Sequence, residues 1–164
     1  MKMLPHILLL CLFISACTTP KPNFVFMEKT VLDQNTGLLW TKNANLPGRQ
    51  FPLQGNDNAG IYLEQLNAGK FAGYADWRIP TRSELTRLIE YAGLSGIDPA
   101  SMETWPYHKL RKFGFAGVAD YYYWSSTSES PSEMWAVDMA SGRVESLPAS
   151  KLFYLWPVRN NSSR

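Results

Sequence analysis

The order of elements predicts an α+β fold. Apolar, β-prone segments lie at both ends of the chain, two stretches of helical periodicity lie between them, and turn chemistry joins neighbouring strands. Strands grouped apart from helices do not give the alternation that builds a doubly wound parallel sheet. At 164 residues the chain suits a single domain, and no second one is expected.

Phe24 to Leu32 reads as one strand, Asp33-Gln34-Asn35-Thr36-Gly37 as a hairpin turn, and Leu38 to Thr41 as the partner strand. Asn43 to Gly55 contains Pro47, Gly48, Pro52 and Gly55 and reads as loop. Ala59, Tyr62, Leu63 and Leu66 fall at helical spacing, so a first helix starts after Asn56 or Asn58 and stops at Gly69. Thr81-Arg82-Ser83-Glu84 is a capping box, in which the Thr81 hydroxyl and the Glu84 carboxylate each satisfy a backbone N–H of the other. A second helix therefore runs from Arg82 to Tyr91, burying Leu85, Leu88, Ile89 and Ala92, and Gly93 ends it. Gly93 to Gly117 reads as irregular, with a short helix around His108 to Lys112. Tyr121 to Thr127, Met134 to Met139, Arg143 to Leu147 and Phe153 to Arg159 are the remaining strands, with a tight turn at Ala140-Ser141-Gly142. Pro157 gives the last one an edge position or a bulge.

Ahead of the domain, Lys2 provides a positive start, Ile7 to Phe13 an apolar run too short to cross a bilayer, and Ser15-Ala16 two small residues before Cys17. This order resembles a bacterial lipoprotein signal, with Ile14-Ser15-Ala16-Cys17 as the lipobox. The resemblance implies removal of residues 1–16, acylation of Cys17 as the lipid attachment site, and an anchor of several chains rather than a membrane span. Residues 17–23, with two prolines and nothing apolar, read as a tether. Thr18 is not the aspartate that commonly retains lipoproteins in the inner membrane, so the expected location is the outer membrane, facing periplasm or cell surface.

Net charge is +2, and no basic stripe of the kind that binds nucleic acid is visible. Cys11 departs with the signal and Cys17 is consumed by lipid, which leaves no disulfide, thiolate metal site or cysteine nucleophile. Of the six Trp, eight Phe and eight Tyr, all but Phe13 of the signal can supply the packing that must hold such a domain together.

Five blocks then resemble one family. Asp33 to Trp40, Gly73-Tyr74-Ala75-Asp76-Trp77-Arg78-Ile79-Pro80-Thr81-Arg82-Ser83-Glu84-Leu85, Tyr123 to Thr127, Trp135 to Met139 and Pro157 to Arg159 are similar, in order, to the Lcl C-terminal domain family, named for a bacterial collagen-like adhesin. The resemblance implies a C-type-lectin-like single domain over residues 24–160, with two helices and a mainly antiparallel twisted sheet. It assigns fold-defining roles to Trp40, Asp76, Trp77, Arg78, Thr81, Glu84, Trp124 and Trp135. It further implies a surface-associated binding or adhesion domain, with sulfated polysaccharides as one ligand class. Two departures are visible: Asn56 and its neighbours stand where the family often places a tryptophan, and the chain ends in Asn160 to Arg164 without the family's common cysteine.

The remaining motifs are read conservatively. Asp76-Trp77-Arg78 is expected to be structural, with Trp77 in the core. Asp33-x-Asn35-x-Gly37 opens like a calcium loop, but Ala44 stands where the bidentate Glu belongs, so a hairpin turn is the better reading. Glu129, Glu133, Asp138 and Glu145 are available for calcium, yet nothing in the sequence makes them converge. No metal site or cofactor is assigned. The single mature histidine, His108, is no basis for a triad, and G-x-S-x-G is absent. A carboxylate pair for glycoside cleavage remains open among Glu84, Glu90, Asp98, Glu103 and Asp120. Tyr121-Tyr122-Tyr123-Trp124 alternates faces, so one pair is expected in the core and the other as a stacking platform or loop cover.

The expected function is noncovalent binding of a polysaccharide or protein at the envelope, without catalysis, on a face formed by Trp105 to Gly117 and a loop between Thr127 and Met134. Tyr107, Lys109, Arg111 and Lys112 are its candidate ligand contacts. The alternatives are an enzyme related to the formylglycine-generating oxidoreductases, whose chemistry the lack of a mature thiol disfavours, and a purely structural envelope protein.

Overall fold

The computed structural model describes residues 21–93, 101 and 104–161. The signal segment 1–16, Cys17, the tether up to residue 20, Asp98 and Glu103 lie outside the described residues. Within them the fold is α+β, built from two antiparallel sheets and three helices. The first sheet has the order β1 (Phe24–Phe26), β2 (Thr30–Asp33), β3 (Leu38–Thr41), β7 (Val158–Asn160), and the second the order β4 (Tyr122–Ser130), β5 (Glu133–Asp138), β6 (Val144–Pro148). Between them run α1 (Ala59–Ala68), α2 (Arg82–Ala92) and α3 (Pro106–Phe113).

Several boundaries depart from expectation, each for a local reason. The single strand expected over Phe24 to Leu32 folds back on itself at Glu28-Lys29, where Met27 N donates to Thr30 O at 2.9 Å. Two consecutive charged residues inside an apolar run form the turn between β1 and β2. The strand expected over Phe153 to Arg159 breaks in two, because Pro157 has no N–H to give a ladder. Tyr154 bonds both Tyr122 and Trp124 of β4, whereas Val158 beyond the proline joins β3. The terminal segment thus crosses from one sheet to the other. α3 is longer than the expected turn around His108 to Lys112, since Pro106 can occupy the first helical turn and Gly114, at φ 116°, closes the end. The stretch from Thr127 to Met134 is no loop: β4 continues to Ser130 and turns tightly into β5 at Glu133.

The capping box at Thr81 is formed as expected, with Thr81 N donating to Glu84 at 2.7 Å and Glu84 N to the Thr81 hydroxyl at 3.3 Å. α1 is capped by Asn58, whose side chain accepts from Gly60 and Ile61 N. Leu85, Leu88 and Ile89 of α2 are fully buried with Trp40, Tyr123 and Trp156 in the main core. A second cluster gathers Leu39, Phe51, Leu63 and Leu155 around Trp77.

Trp77 is 2% exposed. Its indole donates to Phe71 O at 3.0 Å, and Asn67 holds its backbone from both sides, accepting from Trp77 N and donating to Trp77 O. On either side, Arg159 makes two bonds to Asp76, at 2.6 and 3.1 Å, and Arg78 makes two to Glu84, at 2.8 and 2.7 Å. Arg159 is buried and lies 3.9 Å over the Tyr74 ring. The block Asp76-Trp77-Arg78 is therefore a structural junction.

Trp77→Ala should cost about 3–5 kcal/mol, the usual loss for deleting a buried aromatic side chain; a denaturant melt shifted by less than ~1 kcal/mol would place the side chain at the surface instead. Acid supplies a second check. Hydrogen bonds from Arg159 hold the Asp76 carboxyl below its ordinary value of 3.8. Burial pushes Glu84 upward, but Arg78 and the Thr81 N–H outweigh it and leave it below 4.5. Because both folded-state values are depressed, their stabilisation is complete above those ordinary values and is lost as pH falls below them. Glu84→Gln should flatten that acid limb of a stability-against-pH profile, and an unchanged limb would contradict the assignment.

Candidate ligand-binding site

The turn between β1 and β2 and the segment after β3 meet at one end of the first sheet. One step beyond the Thr30–Thr41 pair, Lys42 N donates to Lys29 O at 2.9 Å, so the two lysines are neighbours across the end of the hairpin. Like charges on neighbouring strands destabilise a sheet. Among the described residues neither ammonium has a hydrogen-bond or ion-pair partner. Glu28 stands beside them without pairing to either.

These two lysines border a groove of about 430 Å³ whose other walls are Asn43, Leu46, Phe71 and Ala116. A second groove of about 300 Å³, with Met27, Ala72 and Tyr74 in its lining, shares Glu28 and Lys29 with it. Three local constraints fix the walls. Asn43 accepts from Asn45 N through its side-chain oxygen, which leaves its amide N–H group out of that turn. Ala116 exchanges backbone bonds with Lys42 and Ala44, and Gly117 follows at φ 64°, where a Cβ would come within 2.2 Å of the Asn43 oxygen. Phe71 is flanked by Lys70 and Ala72, both in the left-handed region at φ 47° and 53°. Non-glycine residues seldom adopt that region, and they persist only where the surroundings hold them. Here Trp77 does so, through its bond to Phe71 O and a ring contact at 5.7 Å.

The arrangement is two lysines without a side-chain partner among the described residues, the Glu28 carboxylate and an amide, beside the Phe71 ring. It can take an anionic group with an apolar or ring-shaped body lying on Phe71. No group of three or more His, Cys, Asp or Glu fit to hold a metal occurs among the described residues.

The residues singled out from sequence are placed differently. Tyr107 is 4% exposed and belongs to the main core, so it is not a surface contact. Arg111 bonds Val118 O through both Nε and Nη2 and lies 5.1 Å over the Tyr107 ring, which makes it a clamp for the loop after α3. Lys109 reaches Gly93 O at 3.5 Å, and Lys112 is exposed. The two segments of the expected binding face do not meet. Tyr107 N bonds Met139 O just past one end of β5, the Glu133 turn lies at the other, and six extended residues separate them by roughly 17–20 Å.

On β4 the alternation holds, yet burial cuts across it: Tyr123 and Trp124 are both fully buried, because this strand has core on both faces. Tyr122 stacks on Phe153 at 5.0 Å and donates to Glu145, whose carboxylate pushes the phenol up to about 12. The four carboxylates considered for calcium serve elsewhere where they bond at all: Glu129 accepts from the Trp135 indole, Asp138 from Ser141 and Ala140 N, and Glu145 from Tyr122. Of the carboxylates open to glycoside cleavage, Glu84 is held by Arg78 and Thr81, Glu90 pairs with Arg87, and Asp120 is exposed. Trp40 and Trp124 are core, whereas Trp135 is half-buried beneath the Arg82 guanidinium at 4.5 Å.

Lys42→Glu should replace a repulsive cross-strand pair with an attractive one and raise stability by about 0.2–1 kcal/mol. A lower melting midpoint would mean that the Lys42 ammonium already has a stabilising partner.

A family model for the Lcl C-terminal domain matches residues 29–159. A comparison with curated proteins finds no match.

Proposed function

The chain belongs to the Lcl C-terminal domain family, and from that premise we propose that it is a lipid-anchored envelope protein whose domain binds an anionic polysaccharide without catalysis. The observation that carries this reading is that Lys29 and Lys42, neighbours across the end of the β2–β3 hairpin and without a side-chain partner among the described residues, line one groove with Phe71. A repulsive pair is a cost to the folded state, and an arriving sulfate or carboxylate would relieve it. Sugar rings present an apolar face as well as charge, and the half-buried Phe71 offers a surface for it. Asn43 adds a neutral polar contact of the kind that orients a ligand.

Anchoring rests on Ile14-Ser15-Ala16-Cys17. It agrees with a described domain in which no helix is long and apolar enough to cross a membrane. Thr18 in place of a retaining aspartate supports an outer-membrane position. Cys17→Ser should move the protein from the membrane to the soluble fraction and abolish incorporation of labelled palmitate. Continued co-fractionation with membranes, without palmitate in the wild type, would overturn the anchor.

Lys29→Ala/Lys42→Ala should weaken binding to heparin-like or fucoidan-like polymers by about tenfold or more at low salt, equivalent to ~1.4 kcal/mol. The difference should shrink as salt is raised. Binding equal to wild type at low salt would remove the groove as the polysaccharide site.

A further inference from the structure

We propose that the outer edge of β1 pairs, antiparallel, with β1 of a second copy of this chain, Val25 facing its own counterpart across a two-fold axis. The proposal rests on the lipid-anchor reading of Cys17, which sets where two copies meet, and not on the polysaccharide groove.

β1 ends the first sheet, with β2 on one side only. Gln34 N donates to Asn23 O and Met27 N to Thr30 O, so residues 23, 25 and 27 turn their backbone groups toward β2. The N–H and C=O groups of Phe24 and Phe26 therefore point outward, and they have no backbone partner among the described residues. Natural edge strands are guarded by shortness, charge, proline or a bulge. Asn23-Phe24-Val25-Phe26-Met27 has only the first of these, since it contains no charge and no proline and its register with β2 is regular. Val25, Phe26 and Met27 are 41, 37 and 42% exposed, three consecutive large apolar side chains at the surface.

Two features select a second copy as the occupant. A two-fold interface sets each element against itself reversed, and Phe24-Val25-Phe26 reads the same in both directions. With Val25 opposite Val25, Phe24 of each chain stands opposite Phe26 of the other. There the outward backbone groups bond each other, and the rings pair across the strands. The turn at Glu28-Lys29 bends the chain away toward β2, which confines the contact to residues 23–27.

The second feature is the tether. Only four peptide steps separate Lys21 from Cys17, a span of at most ~14 Å fully extended, and β1 begins at Phe24. A lipid on Cys17 keeps the β1 edges of all copies close to one surface, and confinement there raises their concentration toward each other. A contact this small needs that help, because an interface that is stable in free solution buries about 1,200 Å² or more. No described strand of the same chain competes for the edge: β7 lies on the far side of the sheet, beyond β2 and β3.

The test uses the full lipidated chain in phospholipid vesicles. With residues 1–16 removed and Cys17 acylated, the mature chain has no free thiol, so one introduced cysteine reports on its own position. Opposite residues of a non-hydrogen-bonded antiparallel pair have Cα atoms about 4.5 Å apart, within disulfide reach. Val25→Cys should therefore oxidise to a linked dimer several-fold faster than Leu152→Cys, whose site is 55% exposed beside the third core cluster. Met27→Cys alone should stay near the Leu152 rate, because the proposed register sets Met27 opposite Asn23 and not opposite itself. A mixture of Met27→Cys and Asn23→Cys chains should link to each other. Equal rates for Val25→Cys and Leu152→Cys in protein that floats with the vesicles would overturn the pairing and leave the anchor standing. A Val25→Cys chain that stays unlinked when purified, yet forms an adduct with another envelope protein in whole cells, would give the edge to a different partner and overturn pairing with a second copy. A wild-type chain that fails to float would overturn the anchor, and the proposal with it.

Discussion

Arg78 exchanges two backbone hydrogen bonds with Val158, at 2.9 and 3.0 Å, while its guanidinium holds Glu84 and the side chain of Asn160. On the other side of Trp77, Asp76 holds Arg159. Three consecutive residues therefore fix the last strand of the chain, the N-terminus of α2 and the second core cluster at once. β7 completes the first sheet by pairing with β3, and the residues just before it bond β4 of the second sheet. Without this junction the terminal segment would have no reason to cross between sheets at Pro157. Each pair has two hydrogen bonds and at least one buried or half-buried member, Arg159 in one and Glu84 in the other, and loss of the partner would leave that charge without its bonds.

The groove is a by-product of the same framework. Trp77 holds Phe71 O, Phe71 is forced between two left-handed residues, and its ring ends beside Lys29, Lys42 and Asn43. The sheet tolerates two neighbouring lysines because the surrounding packing supplies stability that this pair does not. In the proposed reading, backbone strain at Lys70 and Ala72 beside two neighbouring lysines marks a surface kept for something outside the chain. In the proposed reading that something is an anionic polymer.

How far the sequence revealed this depended on distance along the chain. The capping box at Thr81, the hairpin turn at Asp33, where the carboxylate accepts from Asn35 N and the Thr36 hydroxyl, and the burial of Trp77 are written in residues a few positions apart. The Asp76–Arg159 pair joins residues 83 apart, and no local pattern announces it. Tyr123 and Trp124 are both buried although alternation puts them on opposite faces, because alternation states which face a side chain takes, not whether both faces are covered. Tyr107 next to Lys109 and Arg111 looked like a surface cluster, and only the packing of α3 on α2 and Met139 shows it to be core. The groove draws on the β1–β2 turn, the end of β3, Phe71 and Ala116. The one local sign was Glu28-Lys29, a charged pair interrupting an apolar run.

The most direct measurement is a map of backbone and lysine side-chain NMR shifts as a sulfated oligosaccharide is added to the domain. The account predicts that Lys29, Lys42, Asn43, Phe71 and Ala116 move together along one binding curve, while Tyr122 and Glu145 stay still. Shifts confined to Lys109 and Lys112 on α3, or to the aromatic surface around Tyr121, would contradict it.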